Sequence, residues 1–343
     1  MYPHGDQVST PDAIGRNLGR RLEERYAVVY HDWFARDVIV PEPGDVLLGH
    51  PHPAPGTIFR RSMALRGWGR RLILSPFNHG DLRQVAFLDP LIRQCDLYLA
   101  ITGPYWFRTI ANSLCSHWLP KMVHLDLAID RSDYPPLKTT FAVPGKRRVL
   151  YIGHTDRYKN SPYLSEIAAQ VPEADFAWAG RGGQRIEGFK ALGPIDLGSQ
   201  EGRDLVSEFD FLLTVGRADA NPTTILEAMA WGLIPICTPT SGYEGIPTIP
   251  NVPLDNAPAA ADIVRGLLRA DEQGLLAMQS ANRQLLDHYT WDRFAADVVR
   301  AIESDDSPRL LGESFGRRAT FRYLAATSPV GRAGRLLSRS SRL

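Results

Sequence analysis

The chain has 343 residues, 44% of them hydrophobic and 22% charged, which supplies apolar side chain for two cores of ordinary size and excludes an intrinsically disordered polypeptide. Basic and acidic residues balance at 39 against 38, which excludes a protein held to nucleic acid by its overall charge. There is no run of about 18 apolar residues and no apolar segment at the polar N-terminus, and Cys95, Cys115 and Cys237 lack CxxC spacing, so a cytoplasmic protein without a membrane span or structural zinc is expected.

Short, continuous apolar runs alternate with longer amphipathic stretches. In the first half the expected strands are 26–33 (YAVVYHDW), 45–50, 71–77, 96–102 and 121–127; in the second they are 147–153, 175–180, 210–216 and 233–238. Runs of this kind suit strands buried on both faces. Helical patterns lie between them, including PYLSEIAAQV and the long AADIVRGLLRADEQGLLAMQSANRQLL. Alternation of this sort predicts parallel sheets with helical crossovers. Residues 130–148, with three prolines and a glycine, read as a linker. The expected organisation is an α/β fold with an N-terminal domain over 1–140, a C-terminal domain over 141–305 and a tail over 306–343. Two such domains leave a cleft between the carboxyl ends of their strands, where ligands bind. From Ser307 onward there are eight arginines against one acid. This tail reads either as a solvated end or as a weak contact for an anionic membrane surface.

Three helix starts share one design. Thr10-Pro11, Ser161-Pro162 and Asn221-Pro222 each place a capping residue before a proline suited to the first helical position. The last two follow strands, so their free N–H groups fall on the cleft side, where an anion such as pyrophosphate would sit. The loop GHTDRYKN (153–160) adds His154, Arg157 and Lys159 next to the second of them. Cations are disfavoured at a helix N-terminus unless an anion is bound there. In ADANPTTILEAMAWGLIP (218–235), Asp219 lies in a loop and Glu227 about one and a half turns into the next helix, which Gly232 ends.

These segments resemble the family 4 (group 1) retaining glycosyltransferases, which have two facing Rossmann-like domains of the glycosyltransferase-B type. VLYIGHTDRYKN is similar to the family's strand and basic loop, DFAWAGRGG to its glycine-rich turn, the 218–247 stretch to its E-x7-E region, and YTWDRFAADVV to its C-terminal helix. PFNHGDL and DRSDYPP are similar to two segments of its acceptor domain. The resemblance implies a nucleotide-sugar donor and no cofactor or metal. Glu227 would hold ribose hydroxyls, Asp219 hydroxyls of the donor sugar, and Lys159, assisted by Arg157, the pyrophosphate. N–H groups around Thr223 and Thr224 would cradle the distal phosphate, with His154 and Asn221 in the same donor site. Gly180 and Gly182 would admit the base or ribose, His79 would lie beside the anomeric carbon, and Gly15 near the pyrophosphate. The implied catalytic set is His79, Asp219 and Lys159.

The sequence departs from the family pattern in four places. Asp219 stands for the usual Glu, His154 for the usual Arg, and Leu127-Ala128 for Asn-Gly. The chain also begins about where the family's opening central strand should end, so a native start upstream of Met1 is expected, since a sheet lacking a central strand leaves backbone groups unpaired. Two functions stay open: transfer of a sugar to a glycan, lipid-linked or small-molecule acceptor, or a non-catalytic binding or assembly subunit of the same fold. A dinucleotide dehydrogenase is disfavoured, because AGRGGQ is not GxGxxG.

Overall fold

The computed structural model describes residues 10–308 and 310, apart from 55 and 157. The first unit runs through α1 (Thr10–Glu23), β1 (Val46–Gly49), α2 (Ile58–Met63), β2 (Arg70–Pro76), α3 (Leu82–Ile92), β3 (Leu97–Ile101), α4 (Pro104–Thr109) and β4 (Met122–Leu125). Its four strands are parallel in the order β1-β2-β3-β4. The second unit runs through β5 (Arg148–Ile152), α5 (Ser161–Gln170), β6 (Asp175–Ala179), β7 (Phe189–Gly193), α6 (Gln200–Ser207), β8 (Phe211–Thr214), α7 (Thr223–Trp231), β9 (Ile234–Cys237), α8 (Ala257–Arg269) and α9 (Glu272–Leu285). Its sheet is parallel in the order β7-β6-β5-β8-β9. The order reverses between β5 and β8, so the loops leaving these two strands border the crevice expected to hold a ligand.

Both faces of each sheet are covered. In the second unit Val149, Tyr151, Phe211 and Leu213 pack against α5 and α8, while Leu150, Leu212, Ile225 and Met229 pack on the opposite face with α7. This accounts for the continuous apolar runs in the central strands. The last helix, α10 (Trp291–Glu303), returns to the first unit, where Trp291, Phe294 and Val298 join Ile14, Leu18 and Leu22 of α1 in one cluster.

Three expectations change. Residues 26–33 form no strand: Tyr26 and Val28 pack inward and Val29 outward, but the segment joins no ladder. It leads into a loop tied to the β1–α2 connection, through Ile58 N–H to the Ala35 carbonyl and the Trp33 indole to the His50 carbonyl. β7 is an additional edge strand in which only Phe189 is buried, too little apolar signal to read from sequence. The long helical pattern is two helices, because the Asp271 side chain accepts from Gly274 N–H at 2.7 Å and starts α9 afresh.

Residues 130–147 are mostly irregular but packed: Leu137 and Lys138 N–H groups both donate to the Trp231 carbonyl, and Phe141 enters the second unit's core. No helix among the described residues is long and apolar enough to cross a membrane. The arginine-rich tail from residue 311 lies outside the described residues.

Candidate functional site

The loop after β5 is shaped by close backbone approaches that only glycine permits. Gly153 N–H donates to the Ala179 carbonyl at 3.0 Å, and its own carbonyl accepts from the Trp178 indole at 2.8 Å. Gly180 has φ +156°, and a Cβ there would collide with the Gly153 carbonyl. A Cβ on Gly182 would collide with the Thr155 hydroxyl. The turns after β5 and β6 are thereby drawn together, with His154 exposed between them and its carbonyl accepting from Tyr151 Oη at 2.6 Å.

The loop after β8 meets the same turn from the other side. Arg217 N–H donates to the Tyr158 carbonyl at 2.8 Å, and its guanidinium reaches Asn160 Oδ1 at 3.1 Å and Asp255 at 2.6 Å. Asn160 is the residue before α5 and holds the left-handed conformation, φ +57°. Across this join Lys159 Nζ forms an ion pair with Asp219 Oδ2, both side chains being largely shielded from solvent. The structure thus brings two of the expected site residues into direct contact. Arg157 lies outside the described residues.

Asn221 differs from its expected role. α7 begins at Thr223, Pro222 precedes it, and neither caps it through a side chain. The Asn221 amide oxygen accepts from Leu127 N–H of the first unit at 2.9 Å, so it links the units. The α5 start shifts by one residue in the same way, with Asn160, not Ser161, at the cap position. The first N–H groups of α7, at the half-buried Thr223 and Thr224, have no preceding helical turn to pair with and point their positive dipole end out of the helix start.

Glu227 lies one turn beyond Thr223 on the same face of α7. Tyr134 Oη donates to Glu227 Oε1 at 3.4 Å, and the Tyr134 ring meets Trp231 edge-on at 5.6 Å. Burial raises the Glu227 pKa above the ordinary glutamate value, although hydrogen bonds from Thr223 and Tyr134 oppose the rise. A buried carboxylate in this setting gains from further hydroxyl donors.

No protein-family model matches the chain, and no curated protein matches it by sequence. Solved structures do match. Sucrose-phosphate synthase from Thermosynechococcus elongatus aligns with a TM-score of 0.55 at 15% identity, over 68% of this chain and 67% of the synthase. TarM from S. aureus aligns with a TM-score of 0.57 at 12% identity, over 76% of this chain and 55% of TarM. HepE from Anabaena, solved with UDP and glucose, aligns with a TM-score of 0.50 at 12% identity, over 68% of this chain and 72% of HepE. The chain has the fold of the GT-B glycosyltransferases.

In this GT-B frame the first unit contributes His79 from the loop after β2. Its Nε2 lies 2.7 Å from Thr109 Oγ1 and its ring meets Trp106 edge-on at 4.9 Å. Burial lowers its pKa below the ordinary histidine value, which favours the uncharged ring. The neighbouring Asn78 amide donates across the cleft to the Ala218 carbonyl at 3.3 Å, next to Asp219. Gly15 is buried in the second turn of α1, and no contact described above joins it to the donor loops. Tyr134, Arg217 and Asn78 are the additions. Tyr134 and Asn78 had a signal, since Tyr134 occupies the aromatic position of DRSDYPP and Asn78 stands beside His79 in PFNHGDL; Arg217 had none.

Proposed function

We propose that this protein is a retaining glycosyltransferase that moves a sugar from a nucleoside-diphosphate donor to an acceptor hydroxyl. The observation that carries this reading is the gathering of Lys159, Asp219, the N-terminus of α7 and Glu227 around the reversal point of the second sheet. Glu227 accepts the ribose hydroxyls. Lys159 and the Thr223 and Thr224 amides neutralise the pyrophosphate as the glycosidic bond breaks, a fixed electrostatic stabilisation that needs no metal. The imidazole of His79 supplies a hydrogen bond beside the anomeric carbon. The acceptor attacks from the face the pyrophosphate leaves, and a phosphate oxygen takes its proton, so no protein nucleophile is required. HepE, which was solved with UDP and glucose, supports a nucleotide-sugar donor by analogy of fold.

The test is calorimetry with UDP, GDP and ADP. At least one is expected to bind, and Glu227→Ala and Lys159→Ala are each expected to weaken it about 10- to 100-fold, the value of one charge-assisted hydrogen bond or more. Wild-type affinity in both variants would remove the assignment.

A further inference from the structure

An aromatic cluster lies in the first unit, away from the residues assigned above. Trp33 meets His52 edge-on at 4.8 Å and His50 at 5.1 Å, and Phe34 lies 4.7 Å from His52 and 5.6 Å from Trp33. The cluster is anchored. The Trp33 indole donates to the His50 carbonyl at 2.7 Å, Phe34 N–H donates to Asp32 Oδ1 at 2.9 Å, and Ala35 accepts from Ile58 N–H at 2.7 Å. Despite these ties Phe34 is 62% exposed. With Trp33 and His52 packed beside it, the exposed Phe34 ring belongs to a contiguous aromatic patch and is not a singly exposed side chain, and such patches mark binding surfaces.

Its place in the sheet indicates what it would bind. His50 directly follows β1, whose Gly49 pairs with Ile73 of β2, and β2 leads into the loop that carries His79. The same carboxyl end of the parallel sheet supplies Asn78 and Leu127 to contacts with the second unit. The cluster therefore lies at the carboxyl end of β1, the end of the sheet at which ligands bind in such folds, and β1 pairs with the strand that leads to His79.

Its chemistry selects among ligands. Burial, and then the neighbouring His52, push the His50 pKa down to about 4, so that ring carries no charge at neutral pH. The exposed Phe34 side chain has the His52 imidazole 4.7 Å away, and the Asp32 carboxylate is held nearby by the Phe34 backbone N–H. An electron-rich ring face attracts the partly positive C–H groups on one face of a pyranose, while hydrogen-bonding edges suit its equatorial hydroxyls. An acyl chain would need a continuous apolar groove instead.

We infer that Phe34, with Trp33 and His52, is the platform on which a neutral sugar ring of the acceptor stacks, so that the acceptor is a carbohydrate. This inference rests on the sugar-transfer reading, and the experiment separates the two. Wild-type protein, Phe34→Ala and Phe34→Trp are titrated with neutral gluco-, galacto- and mannopyranosyl trisaccharides, followed by saturation-transfer NMR and tryptophan fluorescence. In parallel they are titrated with the nucleoside diphosphate by calorimetry. At least one trisaccharide is expected to bind wild type, to bind Phe34→Ala at least tenfold more weakly, and to bind Phe34→Trp within about threefold, while nucleotide affinity stays within twofold throughout. Absence of trisaccharide binding to wild type overturns the inference, as does equal binding to Phe34→Ala. So does binding to anionic lipid vesicles that Phe34→Ala abolishes in the absence of any trisaccharide binding. Loss of the nucleotide signal in wild type would instead strike the donor-site reading.

Discussion

At the scale of single residues, the ion pair between Lys159 and Asp219 sets up a competition. An incoming pyrophosphate has the sign of the Asp219 carboxylate and needs the same ammonium. The pair is shielded, with side-chain exposures of 27% and 17%, so its attraction is less screened than that of a surface bridge. Asp219→Asn removes the competitor and keeps the shape. It is expected to tighten nucleoside-diphosphate binding about three- to tenfold, on the order of 1 kcal/mol, measured by calorimetry. Sugar transfer should fall by at least tenfold in the same variant, because on the proposed reading Asp219 is the charged acceptor of a donor-sugar hydrogen bond. Weaker nucleotide binding would mean that Asp219 positions Lys159 and does not compete for it. Lys159, Asp219 and Glu227 could be singled out in the sequence because they stand in segments that resemble the family's basic loop and E-x7-E region. The pairings around them were not legible: Tyr134, itself in a recognisable segment, stands 93 positions from Glu227 and Asn160 stands 57 from Arg217, and only the fold sets those meetings.

At the scale of elements, α7 is held at both ends for different purposes. Its N-terminus stays open toward the cleft, and its C-terminus is closed by Gly232 at φ +94°, whose N–H donates to the Ala228 and Met229 carbonyls. The Gly232 carbonyl accepts from Gln279 Nε2 at 2.6 Å, so α9 is tied to the same turn. A Cβ at Gly232 would come 2.5 Å from the Lys138 carbonyl, in a backbone region that side chains rarely enter. Gly232→Ala is therefore expected to destabilise the protein by about 2–4 kcal/mol, combining left-handed strain with a backbone clash, as measured by urea unfolding. A loss below about 1 kcal/mol would show that the 137–138 segment moves aside freely. This cap was readable in advance, since glycine after an apolar helix and before a strand has few other uses. The central strands were readable for a similar reason, being buried on both faces. Residues 26–33 were misleading because alternating burial alone, with Tyr26 and Val28 inward, imitates a strand that has no ladder.

At the scale of the whole molecule, the two units touch through a small set of directed contacts as well as through α10. Trp106 Nε1 donates to the Thr240 carbonyl at 2.9 Å, Leu127 N–H to Asn221, and Asn78 to Ala218, while Arg108 pairs with Glu244. Each neutral hydrogen bond of this kind contributes about 1 kcal/mol. At their centre Gly103 lies so near the Gly242 backbone that a Cβ would collide with it. The backbone of Gly103, at φ −97° and ψ 168°, suits any residue, so an alanine there strains only the contact between the units. Gly103→Ala should leave far-UV circular dichroism unchanged and nucleotide affinity within about threefold, because the donor loops belong to the second unit. It should lower kcat by tenfold or more, because His79 and, on the proposed reading, the acceptor belong to the first unit, and misplacement of about 1 Å costs roughly that much or more. X-ray scattering should show a larger radius of gyration. A wild-type kcat in this variant would mean that the Gly103–Gly242 contact opens during turnover and that the reacting geometry is assembled with the units further apart than they stand here.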